Sequence, residues 1–324
     1  MPFEFKVYLK DGREYFEYGI KDREITKKNF EFSQSLLDLL YFDIWSYGDL
    51  FDEMRKAVQA LYPPAGERMD EQKNIAFLRE SFDTLAKQHL YFELLRLEWN
   101  EKLDKYEGED YSSRTTLLPH KKISHIPSNI QAMQEQIKKL FEQVLDVVLA
   151  DKNLTVQQRM ARYYARSTPN STDIFQFETQ KTNFERVDTD TFAEVLYPEN
   201  IYDIIDFSLR NCIKQELSMR VCKSCGKYFA VTGYANSEYC NREFKDSGKT
   251  CKEVGAVRLL QNKLSTDPVH KAYSKAYKTR FARIKYRKIS KEEFAAWSEL
   301  AREMRDKTLA GDISLEELEC WLKD

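Results

Sequence analysis

The chain has 324 residues with 42% hydrophobic content, enough for ordinary globular cores in two or three domains of roughly 100–200 residues. No apolar stretch approaches the ~18–20 residues that cross a bilayer, and the start, Met1-Pro2-Phe3-Glu4-Phe5, lacks the layout of a secretory signal, so a cytoplasmic location is expected. The net charge of −2 is unevenly spread: Arg220 to Lys291 holds 18 Lys plus Arg against 5 Asp plus Glu, a balance of +13 that leaves −15 for the remainder.

The first element is a strand. Phe3, Phe5, Val7 and Leu9 alternate with polar neighbours, Asp11-Gly12 is a hairpin turn signal, and Glu14 to Tyr18 reads as the return strand. The chain then turns helical, since only ten Gly and eight Pro interrupt it. Helices are expected over Ser33 to Ile44 and within Asp70 to Tyr106. Pro119 and Pro127 read as a connector, with Ser128 or Asn129 capping an amphipathic helix whose stripe runs Ile130, Met133, Ile137, Leu140, Phe141, Val144, Leu145 and Val148. Further helices are predicted over Val156 to Arg166 and Asn200 to about Leu217, with a strand near Ile174 to Phe177. Asp267-Pro268 starts a helix, Ser290-x-x-Glu293 and Ser314-x-x-Glu317 are capping boxes, and Gly311 suits a helix end. The predicted fold class is mainly α with a small N-terminal β element and a C-terminal treble-clef-like four-cysteine zinc finger followed by a helical tail. The expected division is an α+β body (1–125), a helical domain (126–218), the finger (219–264) and a basic helical tail (265–324).

The strongest chemical signal is the group Cys222, Cys225, Cys240 and Cys251, four of six cysteines within thirty residues. Cys-x2-Cys-Gly is a turn that lets two sulfurs face one metal, and four thiolates suit a structural zinc with no open position for water. Tyr228 to Val231 has strand character, and Cys251 precedes helical spacing at Val254, Val257, Leu260 and Leu264. Cys212 and Cys320 lack partners at ligand spacing and read as core thiols. Cys222 to about Lys263 resembles the CGNR-type zinc fingers of bacterial transcription regulators, on Tyr228-Phe229, Tyr239-Cys240-Asn241-Arg242 and Cys251-Lys252-Glu253. The Cys240–Cys251 interval is longer than in those fingers. Together with Thr250 to Gly255 and Asp312 to Glu317, it is more similar to a bacterial domain of unknown function that ends in a four-cysteine finger. The resemblance covers roughly the last third of the chain and implies a fold for the finger.

The basic block gives the finger a setting. A block of cations suggests an anionic partner, or else neutralisation against the acidic remainder. Candidate nucleic-acid contacts are Arg242, Lys245, Lys249, Lys252, Arg258 and Lys263 around the finger, and Lys271, Lys275, Lys278, Arg280, Arg283, Lys285, Arg287 and Lys288 along the following helix. Tyr273, Tyr277, Phe281 and Ile284 form that helix's packing stripe. The expected function is regulatory nucleic-acid binding; a zinc-stabilised protein-interaction scaffold is the alternative. Phosphate-loop, dinucleotide, zinc-protease and serine-hydrolase motifs are absent from the sequence. Arg114 and His120, five residues apart, resemble the Arg-x4–6-His signature of HEPN ribonucleases, which implies a third reading as an RNA-cleaving enzyme.

Overall fold

A computed structural model describes residues 3–21, 23–62, 70–109, 117–118, 120–165, 173–232, 236–245, 247–255, 257 and 267–323, without the side chains of 120 and 121. The chain divides into two compact units. One comprises Met1–Arg220 with Lys227–Ala235, the other Val221–Gly226 with Asn236–Asp324.

The first unit is built on an antiparallel five-stranded sheet of order β3-β2-β1-β5-β4. Strands β1 (Phe3–Lys10) and β2 (Arg13–Ile20) pair from Phe3↔Ile20 to Lys10↔Arg13. Asp11 and Gly12 close that hairpin with φ of 50° and 71°, the two left-handed residues of a tight turn that matches strand twist. Phe3, Phe5 and Val7 face the main core with Phe16 and Tyr18. On the opposite face Tyr8 packs with Ala193 and Val195. The alternation read from the sequence is therefore correct, and both faces are used.

The other three strands were not expected. β3 (Thr26–Glu31) is a polar edge strand, tied to β2 by Lys27–Glu17 and Arg13–Glu31 ion pairs. β4 (Thr182–Arg186) and β5 (Phe192–Leu196) form a hairpin, and β5 pairs with β1 through Val7↔Leu196. The strand expected near Ile174 to Phe177 is irregular backbone. Its polar groups are satisfied by side chains instead of a ladder: the Phe175 N–H donates to Tyr163 Oη and the Tyr164 hydroxyl donates to the Phe175 carbonyl.

Helices α1 (Gln34–Leu40), α2 (Gly48–Ala60), α3 (Glu71–Gln88) and α4 (Phe92–Gly108) follow, with a 3-10 turn over Ile44–Tyr47. Asp70 caps α3, and Phe82 stacks on Trp99 of α4 at 5.1 Å. α5 (His120–Leu140) corrects the expected connector, because it runs through Pro127. The ring removes the hydrogen bond to the carbonyl four residues back, which costs helix stability. Ser128 does not cap a new helix; its hydroxyl donates to the His125 carbonyl inside α5. The stripe is also shorter than expected: a π turn over Phe141–Leu145 follows α5, and Val148 is 61% exposed. α6 (Val156–Ala165) and α7 (Ile201–Lys214) lie where the pattern predicts, α7 with an Asn200–Asp203 capping box. A large apolar core joins these elements, including Phe16, Leu36, Phe82, Leu103, Phe141 and Leu209. Cys212 is fully buried, as expected of a core thiol.

That core contains a polar knot. Glu14 shares its strand face with Phe16 and Tyr18 and is 1% exposed. Its carboxylate accepts the Ser35 N–H at 2.6 Å. The Ser35 carbonyl accepts from His89 Nε2 at 3.1 Å, and His89 Nδ1 accepts the Tyr91 N–H at 3.2 Å. These bonds fix His89 as a neutral imidazole, one nitrogen donating and the other accepting.

Two short strands, β6 (Met219–Val221) and β7 (Tyr228–Ala230), form a two-stranded sheet around the first cysteine pair. In the second unit, α8 opens at Cys251 (251–255), followed by α9 (Pro268–Lys285), α10 (Lys291–Ala310) and α11 (Leu315–Trp321). In this unit the caps read from the sequence are present: Asp267 accepts from Val269 and His270, both capping boxes close, and Gly311 ends α10 at φ 86°. Phe294, Trp297, Ala301, Leu318 and Leu322 form a small core among these three helices. Cys320, expected in a core, is exposed on α11. Leu318 and Leu322, one turn apart, take the inward positions. Among the described residues no helix is long and apolar enough to cross a membrane.

Candidate metal centre and cationic helix

The Sγ atoms of Cys222, Cys225, Cys240 and Cys251 all lie within 4.8 Å of one another, so the group could hold a metal ion. Each ligand is placed by local backbone chemistry. The Gly226 N–H donates to the Cys222 carbonyl at 2.9 Å, and Gly226 takes φ 71°, which turns the chain back after Cys225. The Lys223 N–H donates to the Glu238 carbonyl at 3.0 Å and the two side chains form an ion pair, which brings the Cys240 segment alongside the first pair. Cys240 then donates its N–H to Cys222 Sγ at 3.4 Å.

Cys251 is held from both directions. Its N–H donates to the Arg242 carbonyl at 2.8 Å. Thr250 and Glu253 form a capping box: the Thr250 N–H donates to Glu253 at 2.6 Å, and the Glu253 N–H donates to Thr250 Oγ1 at 3.3 Å. This Thr-x-x-Glu signature was visible in the sequence but went unread. Gly255 completes the arrangement. A Cβ there would meet the Tyr239 ring at 2.2 Å, so only glycine lets that aromatic lie against α8.

The thiol chemistry divides across the site. Burial raises the Cys222 thiol, but N–H donors from Cys240, Cys225 and Ser224 outweigh it, and the net shift is downward. Cys240 is pushed up to about 12, by burial first, against the lowering effect of the Arg242 N–H, with the neighbouring Cys222 and Cys225 sulfurs adding to the rise. Burial also raises Cys251. Four bare thiolates cannot share this space, so a cation is what would let all four ionise together. A tetrahedral ion with bonds of about 2.3 Å sets its sulfurs roughly 3.8 Å apart. Cys225 and Cys240 stand 3.7 Å apart, and all six cysteines are free thiols.

The cations distribute as follows. Lys245, Lys249 and Lys252 are exposed and Arg242 is half-buried, while Arg258 and Lys263 lie outside the described residues. On α9 and its following turn, Lys271, Lys275, Lys278, Arg283, Lys285, Arg287 and Lys288 are exposed. Arg280 is half-buried, its guanidinium 4.9 Å from the Trp297 ring centroid. Among the described residues none of these eight has a carboxylate oxygen within 4.0 Å. Helix α9 contains no acidic residue and buries none of its side chains fully. The expected stripe packs in part: Tyr273, Tyr277 and Ile284 lean on the small core, and Phe281 stays 57% exposed while its ring touches Phe294.

His120 opens α5, but its side chain and all of Arg114 lie outside the described residues.

Residues 169–320 match the model of a family of unknown function (DUF6076). The matched stretch includes β4, β5, α7, the four cysteines and α9. No curated protein matches the chain, and no solved structure matches it.

Proposed function

We propose that the four cysteines hold one structural zinc ion in a treble-clef-like finger, and that the cationic α9 binds nucleic acid in a regulatory role. Zinc suits an all-sulfur tetrahedral set, and four protein ligands leave no position for a reacting water. Among the described residues of 236–257, only Cys240, Cys251 and Gly255 are buried, so the segment has almost no apolar core to hold it. A metal supplies what burial cannot; structural zinc contributes roughly 10–16 kcal/mol of apparent binding energy in small finger peptides.

The observation that carries the nucleic-acid reading is the row of eight cations on and after α9 with no carboxylate oxygen within 4.0 Å among the described residues. Lys271, Lys275, Lys278 and Lys285 recur at helical spacing along one face, a row suited to successive phosphates. Two measurements test the two halves. Metal analysis of purified protein gives about one zinc per chain, lost in Cys225→Ser. Binding to labelled duplex and single-stranded oligonucleotides weakens steeply with salt, with a slope near −0.7 to −0.9 per neutralised phosphate. A folded, metal-free protein sinks the zinc assignment. Absence of binding at low salt removes the nucleic-acid reading in favour of a protein partner.

A further inference from the structure

Between α9 and α11 lies a groove of about 350 Å³. Its cations are Lys275, Arg280 and Arg283 from α9 and Lys323 from the end of α11. Its apolar lining is Ala272, Ala276 and Leu322, and one carboxylate, Glu319, stands among the cations. Glu319 has no ion-pair partner within 4.0 Å among the described residues, so the groove keeps its positive charge un-neutralised. The volume is near the low end of sites that take one small-molecule-sized unit.

These groups select a ligand chemistry. Lys275, Arg280 and Arg283 suit a phosphate, and Arg280 is held in advance by its stacking on Trp297. The small apolar side chains accept a sugar or base edge. Glu319 repels a ligand that is anionic throughout, and it requires a hydrogen-bond donor near the phosphate. A ribose 2′-hydroxyl is such a donor, and carboxylates recognise ribose hydroxyls in nucleotide sites. A duplex cannot place one nucleotide in a groove of this size without unstacking it; a single strand can.

We propose that the α9–α11 groove takes one nucleotide of single-stranded RNA, its phosphate on Lys275, Arg280 and Arg283 and its ribose 2′-hydroxyl donating to Glu319. The assignment rests on the nucleic-acid reading of α9 and narrows it to a polymer and a strandedness. The remaining cations of α9, Lys271, Lys278 and Lys285, hold the flanking phosphates.

The test uses the full zinc-loaded chain and fluorescence anisotropy at about 50 mM salt. The probes are a single-stranded RNA of roughly 12 nucleotides, the DNA of the same sequence with deoxyuridine for thymine, and the RNA duplex. The wild-type protein is expected to bind the single-stranded RNA about tenfold more tightly than the DNA, the worth of one hydrogen bond to a charged group. Glu319→Ala, at an exposed position, is expected to bring the RNA-to-DNA ratio near one and to tighten DNA binding. Arg283→Ala is expected to weaken both single strands by a similar factor. Equal RNA and DNA affinities that Glu319→Ala leaves unchanged, or a preference for duplex, overturn the groove assignment while the cationic-helix reading stands. No binding of any probe overturns both.

Discussion

The two units of this chain hold themselves together by different means. The first buries a long list of apolar side chains between a sheet and its helices, and admits ionisable groups such as Glu14 and His89 inside because each has hydrogen-bond partners. The second has five buried residues in its helical core and a cysteine segment in which the ligands are nearly all that is buried. Apolar burial grows with chain length, so a segment of this size cannot close a core by itself. It relies on local devices instead: capping boxes, a glycine that admits one ring, and a four-cysteine cluster where the proposed metal would bind. Helix α9 packs Tyr273, Tyr277 and Ile284 on the small helical core, and its remaining surface carries cations without a carboxylate within 4.0 Å among the described residues. The unit with the smaller apolar core is thus the one that carries the cationic row proposed to meet a partner.

The largest expected effect separates the units outright. If the four cysteines hold the proposed zinc, a chelator or Cys222→Ser is expected to unfold the cysteine segment, because structural zinc contributes roughly 10–16 kcal/mol of apparent binding energy in small finger peptides and that energy is also folding energy. Hydrogen exchange is expected to rise over residues 236–257 and stay slow over β1, β2 and α3. Equal loss of protection in both units would dissolve the contrast. The converse change is Phe16→Ala, at a fully buried site of the first unit. It is expected to cost about 3–5 kcal/mol of that unit's stability in denaturant titration and leave zinc content unchanged.

The polar knot of the first unit makes a pH prediction. Burial pushes the Glu14 carboxyl up to about 7, against the lowering effect of the Ser35 N–H and hydroxyl and the Ser33 N–H. Its stability contribution is therefore complete below its unfolded value of 4.5 and is lost as pH rises through about 7. Burial lowers His89 to about 4 from 6.5, so its contribution is present above 6.5 and is lost as pH falls through about 4. Between pH 4.5 and 6.5 the two oppose each other. Relative to Glu14→Gln, the wild type is expected to lose roughly 3 kcal/mol from pH 4.5 to 7, measured by urea unfolding at each pH. A constant difference would mean Glu14 keeps its ordinary acidity. The smallest effect belongs to the second unit's caps: Ser290→Ala is expected to lower α10 stability by about 1 kcal/mol, seen as a small drop in that unit's thermal midpoint. An unchanged midpoint would show that the small aromatic core dominates the caps.

Legibility followed the range of the interaction. Asp11-Gly12, Asp267-Pro268, Ser290-x-x-Glu293 and Ser314-x-x-Glu317 act within a few residues, and each appears as read. Thr250-x-x-Glu253 obeys the same rule and was readable. β3 was hidden because Thr-Lys-Lys-Asn-Phe-Glu carries no apolar alternation; its place comes from backbone pairing with β2. β5 needed β1 as a partner from almost two hundred residues away. Pro127 misled because proline is read as an end, whereas here α5 continues through it among buried neighbours such as Ile123 and Ile130. Glu14 was readable in part, since it falls in phase with Phe16 and Tyr18.

By itself, then, the amino-acid order determined the four cysteines, the caps of the tail helices and the segregation of charge, because spacing and composition fix each of these locally. Tertiary structure alone decided that the sulfurs converge within 4.8 Å, that Tyr239 lies against Gly255, and that Glu319 and Lys323 line one groove with Lys275, Arg280 and Arg283 of α9. Those placements depend on how distant segments cross. One-dimensional spacing names the groups that have chemistry; only packing puts them in reach of the same ligand.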